Sequence, residues 1–246
     1  MYNRPPSDLT LKVIRAAGMD VEYIPARTEN EVISAATGAD VLLVGTVPHT
    51  TRKVLESLPN LKMVGRHGVG VDSVDLEAAT ELGICVTNTP GINTSEVADH
   101  AMAMLLSITR MIPEQNAALK NGAWSDRPAE IDSLRDKLRR IAGNTVGIFG
   151  LGSIGKGFAN RVRGFGPSKI IAYDPYVPQT DADLVGVEMV DFNTLLSDSD
   201  FLTVHSPATV ETNEIFNINS FRKMKRTAIF INCARGPIVD ESGLQQ

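Results

Sequence analysis

The sequence has 246 residues, 43% of them hydrophobic and 22% charged, with a formal net charge of −5 and a pI near 5.4. This composition can bury one large core or two modest ones and excludes a disordered chain, while the scattered Lys and Arg residues leave no basic stripe for nucleic acid. No apolar run reaches the ~20 residues that cross a bilayer, and no apolar signal segment follows Met1 to Pro6. Cys85 and Cys233 lie in separate apolar strand-like runs, as small hydrophobes rather than a disulfide or a metal pair. The expectation is a cytoplasmic protein with no metal and with neither nucleic acid nor membrane as a partner.

Apolar spacing predicts a helix over 9–18, a strand at 21–24, a helix over 29–37, a strand at 41–44, a helix over 51–57, a strand at 61–65, a helix over 74–82 and a strand at 84–87. This alternation implies a small parallel sheet and a first lobe ending near Thr94. Ser95 is placed to cap a long apolar helix over 96–112, whose Val97, Ala101, Met104, Leu105 and Ile108 suit burial between lobes. Residues 114–140 are mixed and polar, carry the single tryptophan Trp124, and read as an arm that packs on another surface. A second series follows, with strands at 145–149, 169–173, 201–204 and 228–232 and a helix over 154–165. The fold class is therefore α/β with a doubly wound parallel sheet, divided as 1–94 and 95–246.

The chemistry concentrates at Gly150-Leu151-Gly152-Ser153-Ile154-Gly155, a glycine-rich turn that follows an apolar strand, opens a helix and is answered by Asp174 after the next strand. Such a turn lets backbone approach a pyrophosphate at a positive helix N-terminus, and the Asp174 carboxylate accepts from both ribose hydroxyls while repelling a 2′-phosphate. NAD is thus the expected cofactor. A methyltransferase shares the sheet logic, but two further segments weigh against it: His205-Ser206-Pro207-Ala208-Thr209 with Glu211-Thr212, and Asn232-Cys233-Ala234-Arg235-Gly236. Both follow predicted strands, at the ends where ligands bind.

Together with Arg66-His67-Gly68-Val69-Gly70-Val71-Asp72, Asn88-Thr89-Pro90-Gly91, Val97-Ala98-Asp99-His100 and Tyr173-Asp174-Pro175, these segments resemble the D-isomer-specific 2-hydroxyacid dehydrogenase family over nearly the whole chain. The resemblance implies two lobes, a flavodoxin-like substrate lobe and a Rossmann NAD lobe, and hydride transfer between NAD(H) and a small 2-hydroxy or 2-oxo acid. It implies that Arg235 clamps the substrate carboxylate and 2-oxo group, with the amides of Val69 and Gly70 holding the carboxylate. On the cofactor side it implies Gly150, Gly152, Ser153, Ile154 and Gly155 at the pyrophosphate, Asp174 at the adenosine ribose, and His205, Ser206, Pro207 and Thr212 along the adenine and phosphate side. The resemblance also implies Val97 against the nicotinamide, with Cys233 and Ala234 at the cofactor. His67, His100 and His205 stand at positions without a proton-transfer role in the family. Relatives dimerise through the long helix and the arm at 114–140, so a homodimer is expected if the arm is intact.

The family's proton donor is a His held by a Glu, both of which would fall after Arg235; no His stands between Arg235 and Gln246, and the one Glu there, Glu241, is too close to Arg235 to match. Residues 239–244 read as the start of a helix capped by Asp240, so the NAD lobe is expected to be truncated, with its sheet incomplete. Asn3 to Pro6 stand where the family has an opening strand. The expected activity is that of an NAD-dependent dehydrogenase on CH–OH donors, and the alternative is a non-catalytic NAD-binding or regulatory protein or an inactive fragment.

Overall fold

A computed structural model describes residues 5–244, so Asn3 and Arg4 of the segment proposed to replace an opening strand, Asn3 to Pro6, lie outside the described residues. The chain divides into two compact units, Met1–Asn93 and Thr94–Gln246.

The first unit is built on a parallel sheet of β1 (Val41–Val44), β2 (Met63–Arg66) and β3 (Cys85–Thr87), in that order. Helices Glu29–Ala35, Arg52–Glu56 and Leu76–Glu81 alternate with the strands. Val32, Val54, Leu55 and Ala78 from these helices meet Leu42, Val44 and Val64 of the sheet in one buried cluster. Two of the helices are started by side chains: Thr28 accepts from the Glu31 N–H and Asp75 from the Ala78 N–H. The predicted helix over 9–18 is present as Asp8–Ala16, capped by Ser7, with none of its residues buried.

Two expectations fail in this unit. Residues 21–24 form no strand; three hydrophobic residues around Glu22, running into Pro25, which has no N–H to donate, do not by themselves secure a ladder partner. Cys85 is exposed rather than packed as a small hydrophobe. It opens β3, a three-residue edge strand whose outer residues face away from the core.

The second unit carries a five-stranded parallel sheet in the order β6-β5-β4-β7-β8, with β4 at Thr145–Phe149, β5 at Lys169–Tyr173, β6 at Glu188–Met189, β7 at Phe201–Val204 and β8 at Ile229–Asn232. The chain winds outward through β5 and β6, returns beside β4 as β7, and continues to β8, the doubly wound order with its switch point at β4 and β7. All of β7 and all of β4 after Thr145 are buried, as a parallel strand covered on both faces must be.

Helix Thr94–Thr109 packs Ala98, Ala101, Met102 and Leu105 against Ile148, Leu151, Phe158 and Val162 of the same unit. It begins one residue before Ser95, so Ser95 lies in its first turn and does not cap it; its carbonyl, rather than its hydroxyl, is engaged, by Arg161. The helix stops short of residue 112 because Met111 adopts a left-handed backbone, φ 51°, and Pro113 then opens a new helix, Ile112–Lys120. With Ala123–Asp126 and Pro128–Asp136 this helix encloses a small cluster of Ala118, Ala123 and Ile131. Trp124 stays outside it, 65% exposed.

Candidate cofactor site

The glycine turn begins where β4 ends, and its three glycines answer three different demands. Gly150 has φ +91°, and a side chain there would bring Cβ to 2.8 Å from the Ser206 amide nitrogen. Gly155 lies in the first turn of helix Ser153–Val162 with its would-be Cβ only 2.2 Å from the Gly150 carbonyl oxygen. These two are required by packing. Gly152 is the N-cap of that helix in ordinary extended backbone, and nothing lies within 4 Å of the place its Cβ would take. The space is left open at the N-terminus of a ten-residue helix whose first-turn N–H groups receive no side-chain cap. Unsatisfied donors, the positive end of the helix dipole and a backbone stripped of side chain together make an anion cradle, which fits a pyrophosphate.

Asp174 follows β5 and turns back towards the same loop. One carboxylate oxygen accepts from the Leu151 N–H and the other from the Tyr176 N–H, each at 2.9 Å. Both oxygens are thereby fixed, and each keeps a lone pair for a further donor such as a ribose hydroxyl. The residues present fit a dinucleotide.

His205 and Ser206 enter from β7. The His205 N–H donates to the Phe149 carbonyl at 2.7 Å, which draws this backbone under Gly150. The His205 ring is turned inward, 5.6 Å from the Phe158 ring, with Nε2 at 3.1 Å from the Thr203 hydroxyl and Nδ1 buried without a partner. Burial pushes its pKa down to about 4, so the ring is neutral near pH 7. Ser206 donates to the Pro207 carbonyl, and Thr212 donates to the same carbonyl while accepting from the Thr209 N–H. These hydroxyls shape the loop in which they sit.

His205 makes the stability of the fold depend on pH. Below its ordinary pKa of 6.5 the unfolded chain takes up a proton that the folded ring refuses until about pH 4. Stability therefore falls as pH drops from about 6.5 towards 4, by up to roughly 3 kcal/mol. Urea midpoints measured from pH 7.5 to 4.5 should show this decline, and His205→Asn, which cannot take up that proton, should flatten it.

Beyond β8, the Asn232 side chain spans the turn that carries Arg235: its Oδ1 accepts from the Ala234 N–H and its Nδ2 donates to the Arg235 carbonyl, both at 2.9 Å. The turn is thus braced from within, and the Arg235 guanidinium donates to the Ala234 carbonyl. Cys233 is half-buried with Sγ 3.7 Å from Met104 Sδ, and burial pushes its thiol up, away from the reactive thiolate. Val97 is half-buried in helix Thr94–Thr109.

In the first unit, Val69 and Gly70 lie on the turn after β2. The Val69 carbonyl accepts from Asn88 Nδ2 at 2.7 Å and the Gly68 carbonyl from the Thr89 N–H at 3.0 Å, so the Asn88 segment props this turn. In the sequence Arg66 stands only as part of a motif. Its guanidinium is buried, donates to the His67 carbonyl and the Thr46 hydroxyl, and fills the space a side chain at Gly68 would need. The signal for this was the Arg-x-Gly spacing at a strand end. His67 and His100 are exposed.

Comparison with known proteins agrees with this geometry. The family described as "D-isomer specific 2-hydroxyacid dehydrogenase, NAD binding domain" matches residues 102–246. The D-3-phosphoglycerate dehydrogenase of Methanocaldococcus jannaschii is 40% identical over 243 residues, covering 98% of this chain and 45% of that protein. The hydroxypyruvate reductase of Thermotoga maritima is 38% identical, covering 89% of this chain and 68% of that protein. Among solved structures, the NAD-dependent formate dehydrogenase of Staphylococcus aureus, in complex with NAD, superposes with a TM-score of 0.84 at 31% identity, covering 96% of this chain and 69% of that one. The chain spans less than half the length of the phosphoglycerate dehydrogenase. Sequence, fold and the doubly wound site agree: the chain belongs to the D-isomer-specific 2-hydroxyacid dehydrogenase family.

Proposed function

We propose that the chain binds NAD(H) and serves hydride transfer between that cofactor and a small 2-hydroxy or 2-oxo acid. The observation that carries the reading is the side-chain-free backbone at Gly152, at an uncapped helix N-terminus, with Asp174 oriented beside it by two amides. When bound, NAD supplies the hydride acceptor or donor. Around it we assign Gly150, Gly152, Ser153, Ile154 and Gly155 to the pyrophosphate and Asp174 to the ribose. His205, Ser206, Pro207 and Thr212 flank the adenosine side, and Val97, Cys233 and Ala234 the remainder. Arg235 is assigned to the substrate carboxylate and 2-oxo oxygen, where a planar, permanently charged fork suits an anionic acceptor. The amides of Val69 and Gly70 are assigned as further carboxylate donors.

We further read the protein as a cytoplasmic homodimer. Unpaired thiols at Cys85 and Cys233 fit a reducing compartment. Ile108, Ile112, Leu119 and Trp124, each 47% exposed or more, supply apolar surface on the long helix and the arm. Among the described residues, no helix is long and apolar enough to cross a membrane.

The test is NADH binding by fluorescence titration, followed by NADH oxidation with glyoxylate, hydroxypyruvate and pyruvate. Wild-type protein should bind NADH and turn over at least one of these acids, and Arg235→Ala should lower turnover by about a hundredfold or more. A wild-type chain that does not bind NADH at millimolar concentration would refute the reading.

A further inference from the structure

The nicotinamide half of the site has a support that neither the motif nor the family assignment specifies. A dinucleotide with its adenosine ribose at Asp174 on the β5 side places its other half towards the ends of β7 and β8. Helix Thr94–Thr109 borders that half, because Met104 on it touches Cys233 directly after β8. The same helix is pinned to the cofactor helix, Ser153–Val162, by one side chain. Arg161 Nε donates to Asp99 Oδ1 at 2.5 Å, Nη2 to the Ser95 carbonyl at 3.4 Å and Nη1 to the Gly157 carbonyl of its own helix at 2.8 Å. The two helices meet at Gly157, where a Cβ would make ordinary contacts, 3.4 Å from Ala98 Cβ and 3.5 Å from Thr94 Cγ2.

The Arg161–Asp99 ion pair alone is worth little, since Asp99 is 67% exposed. Its use is geometric. A guanidinium that joins a carboxylate and two carbonyls from two helices fixes their register, which a point charge on a flexible stem does not. The residue between Ser95 and Asp99 whose position this register sets towards the cofactor is Val97.

We infer that Arg161 is a positioning residue: through Ser95 and Asp99 it holds the first turn of helix Thr94–Thr109, and with it Val97, in place for the nicotinamide ring. This rests on the NAD reading above. The test compares the affinities of NADH and of ADP-ribose, which has the same adenosine and pyrophosphate but no nicotinamide, for wild type, Arg161→Ala, Arg161→Lys and Asp99→Ala. Arg161→Ala should weaken NADH about five- to tenfold and ADP-ribose by less than about twofold, with Arg161→Lys between it and wild type. Asp99→Ala removes the carboxylate acceptor of Arg161 from an exposed position, so it should shift the NADH-to-ADP-ribose ratio in the same direction should Arg161→Ala not fold. Equal loss of both ligands would mean a merely structural role and overturn the inference, as would unchanged NADH affinity in a folded variant. Failure of wild type to bind either ligand would instead overturn the NAD reading itself, and this inference with it.

Discussion

Gly155→Ala should destabilise the fold by about 3 kcal/mol, although Ala is the better helix former by about 1 kcal/mol. The sign is set by space. A Cβ at Gly155 would stand 2.2 Å from the Gly150 carbonyl oxygen, a backbone atom that cannot rotate away. Gly150 cannot retreat either, since its own would-be Cβ already meets Ser206 and its φ of +91° holds the turn. Gly152→Ala is the control within the same motif: its backbone is accessible to any residue and its side chain would meet nothing, so the fold should lose less than about 1 kcal/mol. Its NADH affinity should nevertheless fall by tenfold or more, because the new methyl group occupies the ligand's place. Urea midpoints and NADH titrations of the two variants separate the roles. A Gly155→Ala protein as stable as wild type would refute the packing argument, and unchanged affinity in Gly152→Ala would remove the pyrophosphate from that place.

The contrast between these glycines shows what was legible in the sequence. The GxGxxG spacing, the apolar strand before it and Asp174 after the next strand give the site's outline, since each depends on local periodicity or on a residue type that only one backbone shape accommodates. Strands β4, β5 and β7 appear at their predicted bounds because buried parallel strands are continuous apolar runs. Some short elements were legible, such as helices Glu29–Ala35 and Leu76–Glu81 between predicted strands, and others were not. Helices Gln179–Asp183, Phe192–Asp198 and Ile218–Lys223 and strand Glu188–Met189 span too few residues to show a period. Asp191 and Asn217, each accepting from two amides at the start of a helix, were the cap signals that could have revealed two of them. Residues 21–24 failed for a different reason: a short strand-like pattern names no partner strand. The Arg161 contacts were beyond reach, since Ser95 and Asp99 lie more than sixty positions away in sequence and nothing in the local pattern pairs them.

Replacing Asp174 should have the largest effect on cofactor choice. Asp174→Ala removes the ribose acceptor and should weaken NADH by about ten- to a hundredfold, the range for a hydrogen bond to a charged group. It also leaves the Leu151 N–H, part of a fully buried residue, without its acceptor, so stability should fall by about 1–3 kcal/mol. Asp174→Asn separates these effects. Its amide oxygen keeps one acceptor for the turn while the negative charge is lost, so the fold should be close to wild type. The repulsion that excludes a 2′-phosphate should be gone. The ratio of NADPH to NADH affinity is therefore the decisive readout: it should rise in both variants, and in Asp174→Asn without the stability loss of Asp174→Ala. A ratio unchanged in both would mean that the carboxylate only braces the glycine turn and takes no part in recognising the ribose.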